Sequence, residues 1–123
     1  METLSNKIID LSEDNYIPND LKILIGRINA KELKEKLKNK GLDLSDLILN
    51  GLILKLPDSV IGMNRSFTLS LFSDAIHKHG EELVASKLTI LSRYEYIHDR
   101  VIGYISTSVL DEDVDMLNEP DSE

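Results

Sequence analysis

The stretch GMNRSFTLSLF, residues 62 to 72, sets a serine and an arginine between a glycine and an apolar run. Three chemistries use such a stretch. Ser66 could act as a nucleophile, or it could accept a phosphoryl group. It could also sit in the first turn of a helix whose free N–H groups and positive dipole end, with Arg65, attract a phosphate or carboxylate. A nucleophilic serine needs a base within hydrogen-bond reach and a group that orients that base. The chain supplies His77, His79 and His98, but no spacing brings one of them to Ser66, and GMNRSF is not the G-x-S-x-G elbow. An esterase-type site fits poorly. The helix-start reading is stronger, and it competes with a simpler account in which Asn64 caps a helix, Arg65 is solvated and Ser66 completes the first turn.

The tripeptide HKH at 77 to 79 invites a metal assignment. On a helix, residues two apart point away from each other, so His77 and His79 cannot share an ion, and Asp74 with His77 supplies only two ligands. Surface histidines favoured by a helix C-terminus explain the pattern better. His98-Asp99 is no stronger. The sequence holds no paired carboxylates of defined separation, no G-x-x-x-x-G-K-S/T loop and no glycine-rich dinucleotide turn, so neither a metal nor a cofactor is expected.

The elements that must position these residues are set by hydrophobic spacing. KIIDL at 7 to 11 reads as a strand, and Pro18, Asn19 and Asp20 interrupt any regular element after it. In LKILIGRI, 21 to 28, the alternation of Leu21, Ile23 and Ile25 predicts an extended segment. Asn29 and Glu32 have N-cap and N3 spacing, with Ile28 and Leu33 placed as a hydrophobic staple, so a helix is expected from Asn29 to a stop at Gly41. Its five lysines read as a solvated face diluted by Glu32 and Glu35. ILNGLILKLP, 48 to 57, is nearly continuous in apolar residues and predicts a central strand covered on both faces. A helix from Asn64 carries Phe67, Leu71, Phe72, Ala75 and Ile76 to a stop near Gly80. EELVASK adds a helical turn, KLTILS a strand, and YIHDRVIGYIS, 96 to 106, a last helix with Ile97, Val101, Tyr104 and Ile105 inward. Strand and helix alternate in short units, so the expected fold is α/β: one small domain over residues 1–110, a mixed or mainly parallel sheet flanked by about three helices.

Charge divides unevenly along the chain. Of 22 acidic residues, seven lie in DEDVDMLNEPDSE, residues 111–123, which holds no basic residue, leaving 15 acids against 14 bases before it. That segment reads as a flexible, solubilising tail rather than a motif for a basic partner. The rest is nearly neutral, and no basic face recommends nucleic acid as a partner. The chain has no cysteine, which excludes disulfides and thiolate metal sites and says nothing further of the compartment. Neither a signal-peptide pattern nor a membrane-spanning apolar run is expected, which favours a cytoplasmic protein.

GRINAKELKEKL at 26 to 37, a buried strand, NRSFTLSLF at 64 to 72, then a strand and a last helix resemble the STAS-like domains. These form a bacterial and phage group related to the sulfate-transporter and anti-sigma-factor-antagonist fold. The resemblance spans about residues 7 to 108 and rests on element order and the pieces GR and SF. It implies a binding module that docks on a partner protein, often a kinase of the GHKL ATPase class. In the antagonists an Asp-Ser-Ser-Gly motif opens the helix after the central strand, and its first serine is phosphorylated to eject the partner. Matching Asn64-Arg65-Ser66-Phe67 to it puts Arg65 at the phosphorylated position. The usual phosphate switch is therefore missing.

Two functions from different classes remain. The first is a non-enzymatic regulatory module acting stoichiometrically on a protein partner, a kinase-like ATPase or a component of phage defence or counter-defence, with a partner surface of Asn64, Arg65, Ser66, Phe67 and Leu69. Homo-oligomers are compatible with it. The second is a small nucleotide- or anion-binding domain or enzyme using the Arg65-Ser66 helix start.

Overall fold

A computed structural model describes residues 7–13, 16–18 and 21–108 of the protein. Its elements run β1 (Lys7–Asp10), β2 (Ile23–Leu24), α1 (Arg27–Asn39), α2 (Leu44–Leu47), β3 (Leu52–Lys55), β4 (Gly62–Met63), α3 (Arg65–Leu71), α4 (Ser73–His79), α5 (Glu81–Lys87), β5 (Leu88–Leu91) and α6 (Glu95–Ser106). The fold is α/β, and its strand pairings are parallel. One sheet has the order β1-β3-β5, and a second pairs β2 with β4. The strand around Leu54 is central, as its apolar run predicts.

It is not covered on both faces. Along β3, Leu52 and Leu54 are buried, Ile53 is half-buried and Lys55 is exposed. The residues registered beside Ile53, Ile8 and Thr89, are both exposed, as is Leu91 next to Lys55. The order β1-β3-β5 explains this. Successive crossovers that advance in one direction, each with the usual right hand, lay their helices on the same face of the sheet. The second face is left open among the described residues, and Asp10 and Lys55, registered partners on it, form an ion pair at 3.8 Å.

Several helix boundaries differ from the sequence expectation. α1 starts two residues early, at Arg27, with Gly26 before it. Gly26 has φ 89° and ψ 151°, a conformation open to glycine and costly for other residues. Asn29 lies inside the helix, its amide donating to the Ile25 carbonyl at 2.8 Å, and Ile28 is 76% exposed. The capping box and the staple therefore do not form. At the other end Gly41 does stop α1: with φ 79° it donates to the Lys38 carbonyl, and Leu42 donates to that of Leu37, both at 2.9 Å. That is a Schellman closure, with Leu42 able to cover Leu37.

Residues 48 to 50, expected as strand, form a 3-10 turn, because Gly51 with φ 92° breaks the extended run. α2 is a short element that hydrophobic spacing does not reveal. Asp43 caps it, its carboxylate accepting from the Ser45 N–H at 3.0 Å and the Ser45 hydroxyl at 2.8 Å. The single helix expected over 64 to 80 divides at Phe72, whose φ of −103° and ψ of 13° leave the helical region. Phe72 is fully buried, and so is Ala75 in the helix that follows it. The core joins Ile9, Leu54 and Ile90 from the sheet to Leu33, Leu37, Phe67, Leu71, Val101 and Ile105 from the helices. No helix among the described residues is long and apolar enough to cross a membrane. The acidic segment, 111–123, lies outside the described residues.

Candidate functional site

β2 and β4 pair Ile23 with Gly62 and Leu24 with Met63. The pairing is extended on both sides, by the Ile61 N–H on the Lys22 carbonyl at 2.7 Å and the Asn64 N–H on the Leu24 carbonyl at 2.9 Å. α1 and α3, which leave these paired strands, pack against each other. Asn64 caps α3 as its spacing predicts: its Oδ1 accepts the Phe67 N–H at 2.9 Å, and its carbonyl accepts from the Thr68 N–H and hydroxyl.

The five residues of the predicted partner surface do not share one environment. Asn64, Arg65, Ser66 and Leu69 are half-buried, and Leu69 packs on the core. Phe67 is 2% exposed and belongs to the core, so it presents no anchor to a partner. The helical spacing that links Phe67 to Leu71 carries this signal. Arg65 is not a freely solvated side chain either, since its Nη2 atom is buried.

The histidines are engaged elsewhere. His79 Nε2 donates to the Ser45 carbonyl at 2.7 Å, and His98 Nδ1 accepts the Ile90 N–H at 3.0 Å. His77 is exposed on α4. Among the described residues no three His, Asp or Glu side chains converge on a metal-sized point. Two carboxyls are held below their ordinary value: Asp10 by the Ser12 hydroxyl and N–H, and Asp43 chiefly by the Ser45 hydroxyl. Both shifts come chiefly from a serine two residues on, in a turn after β1 for Asp10 and at the start of α2 for Asp43.

Beside Asn64 lies a groove of about 430 Å³, open to solvent. One wall is the end of the loop into β4 together with the strand pair: Ile23, Ile61, Gly62, Met63 and Asn64. The other is a single face of α6, on which Tyr96, Arg100 and Tyr104 recur every four residues. The Tyr96 hydroxyl donates to the Ile61 carbonyl at 2.6 Å and ties the walls together. The Arg100 guanidinium lies 5.5 Å from the centre of the Tyr96 ring, and the centres of the Tyr94 and Tyr96 rings are 5.8 Å apart, tilted by 45°.

Large apolar surface is exposed along the rim: Ile23 46%, Ile61 40% and Tyr96 45%, with Ile25 at 43% a little beyond. Sequence spacing alone does not reveal this surface. It groups Leu21, Ile23 and Ile25 as a strand's apolar set and turns Tyr104 inward, whereas Leu24 is the residue β2 buries and Tyr104 is half-buried in the groove. The available signal is that Leu24, between two isoleucines, is apolar too, so one of the two sets must face outward. Comparison with protein-family models, curated proteins and solved structures finds no match for this chain.

Proposed function

We propose that the protein is a STAS-like regulatory module that binds a protein partner stoichiometrically, and that the groove between β4 and α6 is its docking surface. The observation that supports this reading is a cluster of exposed apolar side chains, Ile23, Ile61 and Tyr96, around a concave surface with one charged residue, Arg100. Exposed apolar groups gathered in one place, with an aromatic and an arginine among them, have the composition of binding hot spots. Asn64 belongs both to the partner surface expected from sequence and to this groove, and Arg65 and Ser66 adjoin it in sequence. The family resemblance nominates a kinase-like ATPase of the GHKL class as the partner. Arg65 at the switch position argues for exchange controlled by something other than phosphorylation there.

The experiment is affinity capture from the native host with the full chain and three variants. Arg100→Glu and Ile61→Asp alter exposed groove residues; each should weaken capture of one specific protein by about tenfold or more, a change of about 1.4 kcal/mol. Ser66→Ala should leave capture nearly unchanged. Capture indifferent to both groove variants, or lost only on Ser66→Ala, moves the function to the α3 helix start and favours the anion-binding or enzymatic alternative.

A further inference from the structure

Arg100 is set apart by what surrounds it. Three of the chain's other cations, Lys34, Lys55 and Lys78, each reach a carboxylate, that of Asp74, Asp10 and Asp46 respectively. Among the described residues Arg100 meets a ring instead, that of Tyr96. The residues three and four places from it on α6, Tyr96, Ile97, Gly103 and Tyr104, include no acid, and the groove lining holds no carboxylate. A guanidinium held over a ring keeps its fork of N–H donors for a carboxylate in bidentate contact. The groove therefore offers one carboxylate position between apolar walls.

Spacing says what form the carboxylate's carrier takes. On α6, Tyr96, Arg100 and Tyr104 follow one another at about 6 Å, four residues at the helical rise. In an extended chain alternate residues share a face and stand about 6.6 Å apart. The two pitches agree over three positions, so an extended segment lying along α6 sets apolar residues beside Tyr96 and Tyr104 and an acid on Arg100. The width agrees as well. A single side chain, that of Tyr96, crosses from α6 to the Ile61 carbonyl. Walls one side chain apart suit an extended chain, which lies about 5 Å from its neighbours, better than a helix about 10–12 Å across. Gly62 keeps the floor clear. It is registered with Ile23, and a Cβ placed on it meets only Ile23 Cγ2, at 4.0 Å, so a side chain there stands in the groove. Ile25, 43% exposed beyond the rim, carries the apolar surface past what a small free carboxylate covers.

From this we infer that the groove binds an extended segment of the partner protein with the pattern apolar-x-acid-x-apolar, its aspartate or glutamate on Arg100. The inference rests on the reading of the groove as a docking surface and names the chemistry that docks there. Apolar contacts hold the segment, and the one ion pair sets its register, because an acid one residue out of step faces away from Arg100.

A random dodecapeptide library displayed on phage and selected on the full chain tests this. Enriched peptides should share the apolar-x-acid-x-apolar pattern. One of them, synthesised with blocked ends and a fluorescent label, should bind Arg100→Glu at least about tenfold and Gly62→Val about fivefold more weakly by anisotropy, and binding should fall with salt. Replacing the peptide's acid by lysine should reverse the preference, so that Arg100→Glu binds that peptide better than the native chain does, which an unfolded variant cannot do. A library that yields no enriched peptide overturns the inference. So do enriched peptides without an acid, with acid and apolar residues four apart as on a helix, or indifferent to Arg100→Glu. Self-association in sedimentation that Arg100→Glu abolishes assigns the groove to a second copy, and displacement of the peptide by hexanoate at equal concentration assigns it to a small amphipathic acid; either overturns it. Partner capture is measured separately. Capture lost in Arg100→Glu alongside any overturning result keeps the docking surface and retires the extended acidic segment; the peptide pattern and its charge reversal with capture unaffected keep the groove's specificity and retire it as the docking surface for that partner.

Discussion

The Tyr96 hydroxyl donates to the Ile61 carbonyl at 2.6 Å, and through that bond the first turn of α6 is fixed to the segment entering β4. Tyr96 is 45% exposed, so water can replace the bond when it is removed. Tyr96→Phe should cost about 1 kcal/mol or less in urea denaturation, since an accessible carbonyl left behind is resolvated. A loss above about 2 kcal/mol indicates that the hydroxyl supports the core rather than the groove.

The one-sided sheet gives a paired prediction. Leu54 is fully buried and Ile8, on the neighbouring strand and the opposite face, is 57% exposed. Leu54→Ala should cost about 2–5 kcal/mol, whereas Ile8→Ala should stay within about 1 kcal/mol. Equal losses in chemical denaturation require a layer covering the second face.

His98 accepts the Ile90 N–H at 3.0 Å and so satisfies a donor of the edge strand β5 that β3 does not reach. His98→Phe keeps the ring and removes the acceptor. The expected cost is about 1–3 kcal/mol, because a partly buried donor is left unpaired. Hydrogen exchange at the Ile90 amide should quicken more than at Leu88; unchanged exchange at Ile90 sinks the assignment of His98 as its acceptor.

Asp43 caps α2, and its carboxyl is held below the ordinary value, first by the Ser45 hydroxyl. A depressed folded-state pKa means the carboxylate form is the one folding favours. Its contribution is complete above the unfolded value, near 3.9, and is lost as pH falls through the lower folded value. Asp43→Ala should therefore destabilise by about 1 kcal/mol near neutrality, with the difference from wild type shrinking below about pH 4. Asp43→Asn, which caps without ionising, should show a difference that changes in the same acidic range with a smaller loss at neutrality. A pH-independent Asp43→Ala effect excludes the charged cap.

The main strands and helices and their alternation were legible in the residues, although α2, the strand β4 at Gly62–Met63 and the division of the helix at Phe72 were not. Leu33 with Leu37, and Ile97 with Val101 and Ile105, repeat at helical spacing, and the runs around Ile9, Leu54 and Ile90 are short and apolar, so local pattern fixes helix and strand alternately. Asn64 as a cap and Gly41 as a stop were legible for the same reason, since both act within a few residues of themselves. Tertiary structure decided what local pattern leaves open. Whether Gly26 or Asn29 begins α1 depended on where β2 pairs with β4, and whether Phe67 is an anchor or core depended on α1 packing against α3. The largest decision was the direction of the sheet. In Ile8, Ile53 and Leu91 apolar side chains face outward, and sequence cannot distinguish a strand covered twice from one covered once, because coverage is a property of where the crossovers run. The groove has the same origin. Tyr96, Arg100 and Ile61 come from separate segments, and they meet because α6 lies across β4 after the last parallel strand has been added.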